Sequence, residues 1–216
     1  MSQRMFLHES LYRGEDSVRR LGDFRLTLCG AGAVGSLLAD NLVRQGVRLI
    51  KVIDCDRIEE HNVSTQLYDV ADAGAWKAEV LRNRLFRVCQ AEIEPVTKRL
   101  EEKNARKMLG NCDLIVDAFD NSLSRGLIQR QCREQNIPCL HVGLFEDYCE
   151  SIWDETYRVP ADAEGDICEY PLARNLVLLA VSLASETVIR FLLEGIRQSH
   201  TATLGDFAVK EFEALS

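Results

Sequence analysis

No C-x-x-C pair occurs in this chain, although it carries eight cysteines, so a zinc site built from cysteine pairs is not expected. Basic residues are also short. Lys and Arg number 26 against 34 Asp and Glu, a net charge of −8, which is the opposite of the basic surface a general nucleic-acid binder presents. There is no run of eighteen apolar residues and no apolar signal core at the N-terminus, so neither a membrane span nor a secretory leader is expected. Internal repeats are absent as well, which leaves 216 residues to form one domain, or one with a short appendage.

What is present suits a globular enzyme or binding domain. Hydrophobic residues make up 46% of the chain, ample for a core. Cys29, Cys89 and Cys139 sit inside apolar runs, where reduced cysteines behave as small hydrophobes. A reducing, cytoplasmic compartment is the expectation.

The chain is organised around Leu26-Thr27-Leu28-Cys29-Gly30-Ala31-Gly32-Ala33-Val34-Gly35. A short apolar strand runs into G-x-G-x-x-G, and residues 37–43 follow with apolar positions at helical spacing. Gly30 permits the turn, Gly32 lets the backbone approach a phosphate, and Gly35 lets the helix pack on the strand. The helix start offers N–H groups and a positive dipole end to an anion. A second strand over 49–53 ends at Asp54, nineteen positions after Gly35, where a carboxylate reaches a ribose hydroxyl.

Further along, helices are expected over 15–21, 75–88, 102–109, 122–135 and 176–193, with strands over 92–97, 114–116, 138–142 and 202–209. Pro95 marks the strand over 92–97 as an edge. Residues 55–74 form a long aperiodic connection of the kind that usually carries function. Residues 144–171 lose periodicity and read as an exposed crossover loop, and residues 1–24 as a polar N-terminal arm. Alternating strands and helices give an α/β, doubly wound, mostly parallel sheet of Rossmann type.

A hydride-transferring enzyme of that type explains the glycines and Asp54. It does not explain Asp56, Asn62, Gln66, Lys77 and then Asp117-Ala118-Phe119-Asp120-Asn121. Loops after the first, second and fourth strands meet at one sheet edge, so these groups converge there. A lysine and carboxylates around a glycine-cradled nucleotide suit magnesium triphosphate better than a nicotinamide cofactor.

Five elements in order carry a resemblance to a known family. They are Gly30 to Gly35, Asp54-Cys55-Asp56, Asn62-Val63-Ser64-Thr65-Gln66, Gly74-Ala75-Trp76-Lys77-Ala78 and Asp117-Ala118-Phe119-Asp120-Asn121. Together they resemble the ThiF/MoeB/ubiquitin-activating family of adenylating enzymes over roughly residues 14–195. The resemblance implies one adenylation domain over 1–216, acting with ATP and Mg2+ on a carboxylate, classically the C-terminus of a small β-grasp protein, or on a peptide. It implies that Asp54 holds the ribose, Asp120 the magnesium, and Lys77 and Asn62 the phosphates, with Asp56, Gln66 and Asn121 at the same site. It also implies a homodimer in which an N-terminal arginine reaches the neighbour's site, a part open to Arg4 or Arg13.

The pattern is not matched throughout. Thr65 stands where the family carries an arginine, so one phosphate-binding cation is missing. That substitution leaves a non-catalytic scaffold, binding a nucleotide or a β-grasp partner, as the alternative. A nicotinamide-dependent oxidoreductase and a relative acting on a tRNA carboxylate are weaker ones. Cys168 falls where some relatives carry a thioester- or persulfide-forming cysteine, but Asp166 and Glu169 beside it favour the thiol over the thiolate. His61, next to Asn62, has no obvious co-ligands for a metal.

Overall fold

The computed structural model describes residues 3–161 and 171–212. Short helices α1 (Leu7–Arg13) and α2 (Glu15–Leu21) precede β1 (Arg25–Cys29), α3 (Ala33–Arg44) and β2 (Leu49–Ile53). Then follow α4 (Lys77–Cys89), β3 (Glu92–Val96), α5 (Glu102–Leu109), β4 (Leu114–Asp117), α6 (Ser122–Gln135) and β5 (Cys139–Phe145). The chain continues as β6 (Tyr148–Trp153), α7 (Arg174–Glu194), β7 (His200–Thr203) and β8 (Val209–Glu211).

All eight strands form one sheet in the order β3-β2-β1-β4-β5-β6-β7-β8. The first five in that order are parallel and the rest antiparallel. β3, with its proline, is the edge strand the sequence implies. Alternation along the strands serves two cores. Leu26 and Leu28, with Ile50, Val52, Leu114 and Val116, pack under α3, α4 and α7. Cys29, Ile53, Ile115 and Cys139 pack under α5 and α6. Helices therefore cover both faces of the parallel part.

From β1 the chain winds to β2 on one side and, later, to β4 on the other, so the order reverses beside β1. The register places Cys29 level with both Ile53 and Asp117. Three strand ends thus open on one carboxyl edge at the switch point, where doubly wound sheets hold ligands.

Two expectations need correction. Residues 144–171 are not a loop throughout: β5 runs on to Phe145, and β6 pairs with it from Phe145↔Tyr148 to Leu140↔Trp153. The two-residue turn between them contains no glycine, and Glu146 itself takes the left-handed φ of 54°. Nothing in the turn chemistry therefore announces the hairpin. The single strand expected over 202–209 is a second hairpin, β7 to β8. Cys168 lies outside the described residues.

α7 is long and apolar enough, by length and composition, to cross a membrane. Here it is a core helix, with Leu176, Val177, Ala180, Ala184 and Val188 buried in the core it shares with α3 and the sheet.

Candidate functional site

The glycine turn is held by packing that admits no side chain at two of its three glycines. Gly30 has φ +98°, and a Cβ there would lie 2.8 Å from Ala118 O. A Cβ on Gly35 would lie 2.0 Å from Gly30 O, so the helix can sit this close to the strand only without one. Gly32 differs: nothing lies within 4 Å of its Cβ position, so the turn faces open space there. No side chain caps the first turn of α3, and no acidic residue sits in it. Its N–H groups face outward at the switch point, a site ready for an anion.

Asp54, at the end of β2, is buried, and both its oxygens are engaged. Oδ2 accepts from Ala31 N–H at 2.7 Å and Oδ1 from Asp56 N–H at 2.8 Å. Burial raises its pKa against the lowering effect of those two N–H groups and Lys77. The carboxylate ties the glycine turn to β2. Asp56, two residues on, is exposed and lies 3.3 Å from Lys77 Nζ. Lys77 opens α4 with its side chain mostly buried, so its ammonium is delivered from a fixed stem. Tyr68 joins the two parts: its hydroxyl donates to Ala31 O at 2.7 Å and lies 3.4 Å from Lys77 O.

The aperiodic segment after β2 is built from capping motifs rather than periodic structure. Asn62 is buried, and its Oδ1 accepts from Glu59 N–H at 2.9 Å in a reciprocal capping box. Leu67 N–H donates to Ser36 Oγ at 3.1 Å, which fixes residues 64–67 against the first turn of α3. Gln66 Oε1 is buried there with no hydrogen-bond partner. His61 makes only a 3.6 Å contact with Glu59.

After β4, Ala118 N–H donates to Cys29 O at 2.8 Å, so the loop over 117–121 lies against the glycine turn. Asn121 caps α6, accepting from Ser124 N–H at 2.9 Å. Asp120 is therefore not the cap. It is exposed at the edge, with Asn121 Nδ2 3.5 Å away. The structure thus brings Gly30, Gly32, Gly35, Asp54, Asp56, Asn62, Gln66, Lys77, Asp120 and Asn121 to one edge.

It does not bring the two arginine candidates there in the same way. Arg13 donates to Glu9 at 2.9 Å and to Glu186 on α7 at 2.6 Å, so its charge is taken up within its own chain. Arg4 is exposed in the turn before α1. A cation that sequence reasoning missed is Arg174, the first residue of α7. Its Nη1 donates to Ser64 O at 3.3 Å, beside Thr65. The two are 110 residues apart, and no local pattern links them. A recess of about 940 Å³ lined by Arg25, Lys51, Arg87 and Glu92 lies at the opposite, amino edge of the sheet, away from this chemistry.

Comparison with known proteins bears on the family and the fold. The ThiF family model matches residues 6–158. The chain is 30% identical over 135 residues to the SAMP-activating enzyme E1 of Haloferax volcanii, covering 62% of this chain and 50% of that protein. It is 32% identical over 126 residues to tRNA threonylcarbamoyladenosine dehydratase 2 of Saccharomyces cerevisiae, covering 54% of this chain and 28% of that one. The chain thus spans no more than about half the length of these curated relatives. Among solved structures, Escherichia coli MccB with MccA-N7isoASN superposes with a TM-score of 0.82 at 18% identity, over 98% of this chain and 71% of that one. Another structure of MccB contains ATP.

Proposed function

We propose, from the premise that this chain belongs to the ThiF family, that it uses magnesium ATP to adenylate a carboxylate. The acceptor is the C-terminus of a ubiquitin-like or β-grasp sulfur-carrier protein, or of a peptide. One observation carries the reading: an exposed Asp120, relieved of capping by Asn121, stands at the same edge as the outward-facing glycine turn and Lys77. Hydride transfer needs neither the lysine nor Asp120.

The residues fit the ligand. The triphosphate lies along the open side of Gly32 and the N-terminus of α3, with Lys77 offsetting its charge. Asn62, whose Oδ1 is taken by Glu59 N–H, keeps its amide N–H groups for the phosphates. Each oxygen of Asp54 accepts one backbone N–H and keeps a lone pair for the ribose hydroxyls, with the exposed Asp56 beside it. The unpartnered Gln66 Oε1 is an acceptor awaiting a donor. No group of three or more His, Cys, Asp and Glu converges as a metal site among the described residues. Asp120 would accordingly hold Mg2+ together with phosphate oxygens, and the ion would supply charge neutralisation for the departing pyrophosphate.

In the reaction an acceptor carboxylate oxygen attacks the α-phosphorus in line and the bond to the bridging oxygen breaks. Pyrophosphate leaves and an acyl adenylate remains. The protein's share is positioning and charge stabilisation. Arg174 brings a guanidinium to the segment where Thr65 lacks one, and this favours a catalytic domain over a scaffold. The scaffold reading keeps one specific support, the capture of Arg13 by Glu9 and Glu186.

A homodimer completes the proposal. Leu7, Leu11 and Tyr12 on α1 and Leu178 on α7 are exposed apolar groups suited to a two-fold contact. Arg4 is then the candidate to reach the neighbour's site. Seven described cysteines are free thiols, in keeping with a cytoplasmic location. The test is exchange of radiolabelled pyrophosphate into ATP, with and without candidate carboxylates. Carboxylate-dependent exchange is the expected result.

A further inference from the structure

Behind the loop over 117–121 lies a buried polar cluster that the proposed chemistry leaves unused. His141, on β5, has no exposed surface, and its two ring nitrogens face two carboxylates. Nδ1 lies 2.8 Å from Asp117 Oδ2, and Nε2 lies 3.3 Å from Asp154 Oδ1. Tyr157 stacks on the ring at 3.8 Å between centroids and 7° between planes. An ionised carboxylate only accepts hydrogen bonds, so a nitrogen facing one has to carry a hydrogen. An imidazolium satisfies both contacts. A neutral ring would turn a lone pair on one of the two oxygens.

Charged neighbours come from every element packed around the ring. Asp117 ends β4 and Asp154 follows β6. Arg125, on α6, donates to Tyr157 Oη at 2.7 Å and to Val142 O at 2.8 Å. Arg133, also on α6, donates to Asp154 Oδ2 at 2.8 Å. Burial opposes a charged ring, and so does Arg125. The bonds to Asp117 and Asp154 outweigh them and hold His141 above its ordinary value. Asp154 is also partly buried, which alone would raise it, but bonds from His141, Arg133 and Gln129 bring it down to about 2.

Asp117 and Asp154 flank β5: Asp117 is level with His141 in the β4–β5 ladder, and Asp154 N–H donates to Cys139 O at 3.0 Å, while the loop over 117–121 and the segment over 154–160 share no ladder of their own. Asp117 heads the loop that presents Asp120, and its other oxygen accepts from Phe119 N–H at 3.1 Å. Asp154 begins the segment that runs to Pro160, whose carbonyl accepts from Ser122 Oγ at 2.5 Å at the start of α6. We propose that His141 is a positioning residue, an imidazolium strap that ties the loop over 117–121 to the segment over 154–160 and so fixes where Asp120 stands at the nucleotide edge. The functional part of this proposal rests on the role given to Asp120 above. The strap holds below the pKa of His141 and is released as pH rises through it.

Two readouts test the strap without nucleotide. Nitrogen NMR of the four histidines, with His141 assigned by its loss in His141→Gln, is expected to show both its ring nitrogens protonated at neutral pH. It should lose its proton at higher pH than His200, whose burial lowers its pKa. Amide exchange at Ala118 and Phe119 is expected to rise about tenfold in His141→Gln, while Ser36 in α3 stays unchanged. Should that variant fail to fold, Asp154→Asn weakens one end of the strap together with the Arg133 contact and should raise the same amides about threefold, whereas Arg133→Gln, which spares His141, should leave them unchanged. A neutral His141 at neutral pH, or unchanged amides in the folded variants, would overturn the proposal. Its link to function is read separately. His141→Gln should lower the kcat of ATP–pyrophosphate exchange about tenfold with KM for ATP little changed, and should remove the alkaline fall of the wild-type profile. An intact strap in a protein that neither binds ATP nor exchanges pyrophosphate would refute the adenylation reading and leave the strap established.

Discussion

The parallel and antiparallel parts of this sheet are built to different tolerances. On the parallel side, β1, β2 and β4 end level with one another, and their loops are tied together by Asp54, Tyr68 and backbone bonds. On the antiparallel side, β8 is exposed at every residue, and Phe145, Phe207 and Val209 present apolar surface to solvent. A catalytic edge needs atoms held to fractions of an ångström. A surface that meets a partner needs shape and accessible apolar area. The contrast separates the edge proposed for the nucleotide from an exposed strand at the far end of the sheet.

The largest effect should come from the tightest contact on the parallel side. Gly35→Ala sets a Cβ against Gly30 backbone and should cost about 3 kcal/mol, read from urea unfolding. Gly32→Ala meets open space and should leave stability unchanged while weakening ATP binding. If both variants behave alike, the turn is not a phosphate cradle.

Next is Lys77→Met, which removes a charge-assisted phosphate contact and leaves an exposed Asp56 able to take up water. A loss of about 2 kcal/mol, roughly 30-fold in ATP affinity, is expected by calorimetry. A smaller effect attaches to Asp120→Asn. Because Asn121 is the cap, the fold should hold within about 0.5 kcal/mol while pyrophosphate exchange falls at least about tenfold, or ~1.4 kcal/mol. Unchanged exchange would remove Asp120 from the site.

The smallest effect belongs to the antiparallel side. Val209→Ser on β8 should change stability by less than about 0.5 kcal/mol and leave ATP affinity alone. A measurable change in ATP affinity would erase the division between the two parts.

The same division governs how much could be read from sequence. Helices over 15–21, 102–109 and 122–135 and the strand over 49–53 match their observed bounds, because capping residues and apolar periodicity are local signals. The glycine turn, Asp56, Lys77 and Asp120 were legible for the same reason, as short motifs in a strand–turn–helix frame. β6 was not, because Glu146 makes a left-handed turn without glycine and Glu150 and Ser151 blur the strand's alternation. The engagement of both Asp54 oxygens, the capture of Arg13 by Glu186 and the arrival of Arg174 beside Thr65 depend on contacts between distant segments. Local pattern carries no trace of them. That Asn121 and not Asp120 caps α6 is visible only in the bond from Ser124 N–H.

The central claim is that the carboxyl edge beside β1 is a magnesium-ATP site and not a dinucleotide site. Calorimetric titration of the folded protein with magnesium ATP and, separately, with NAD tests it most directly. Saturable binding of ATP, weakened when magnesium is withheld, with NAD binding far more weakly, is the result expected. Tight binding of NAD with no heat from ATP would contradict it.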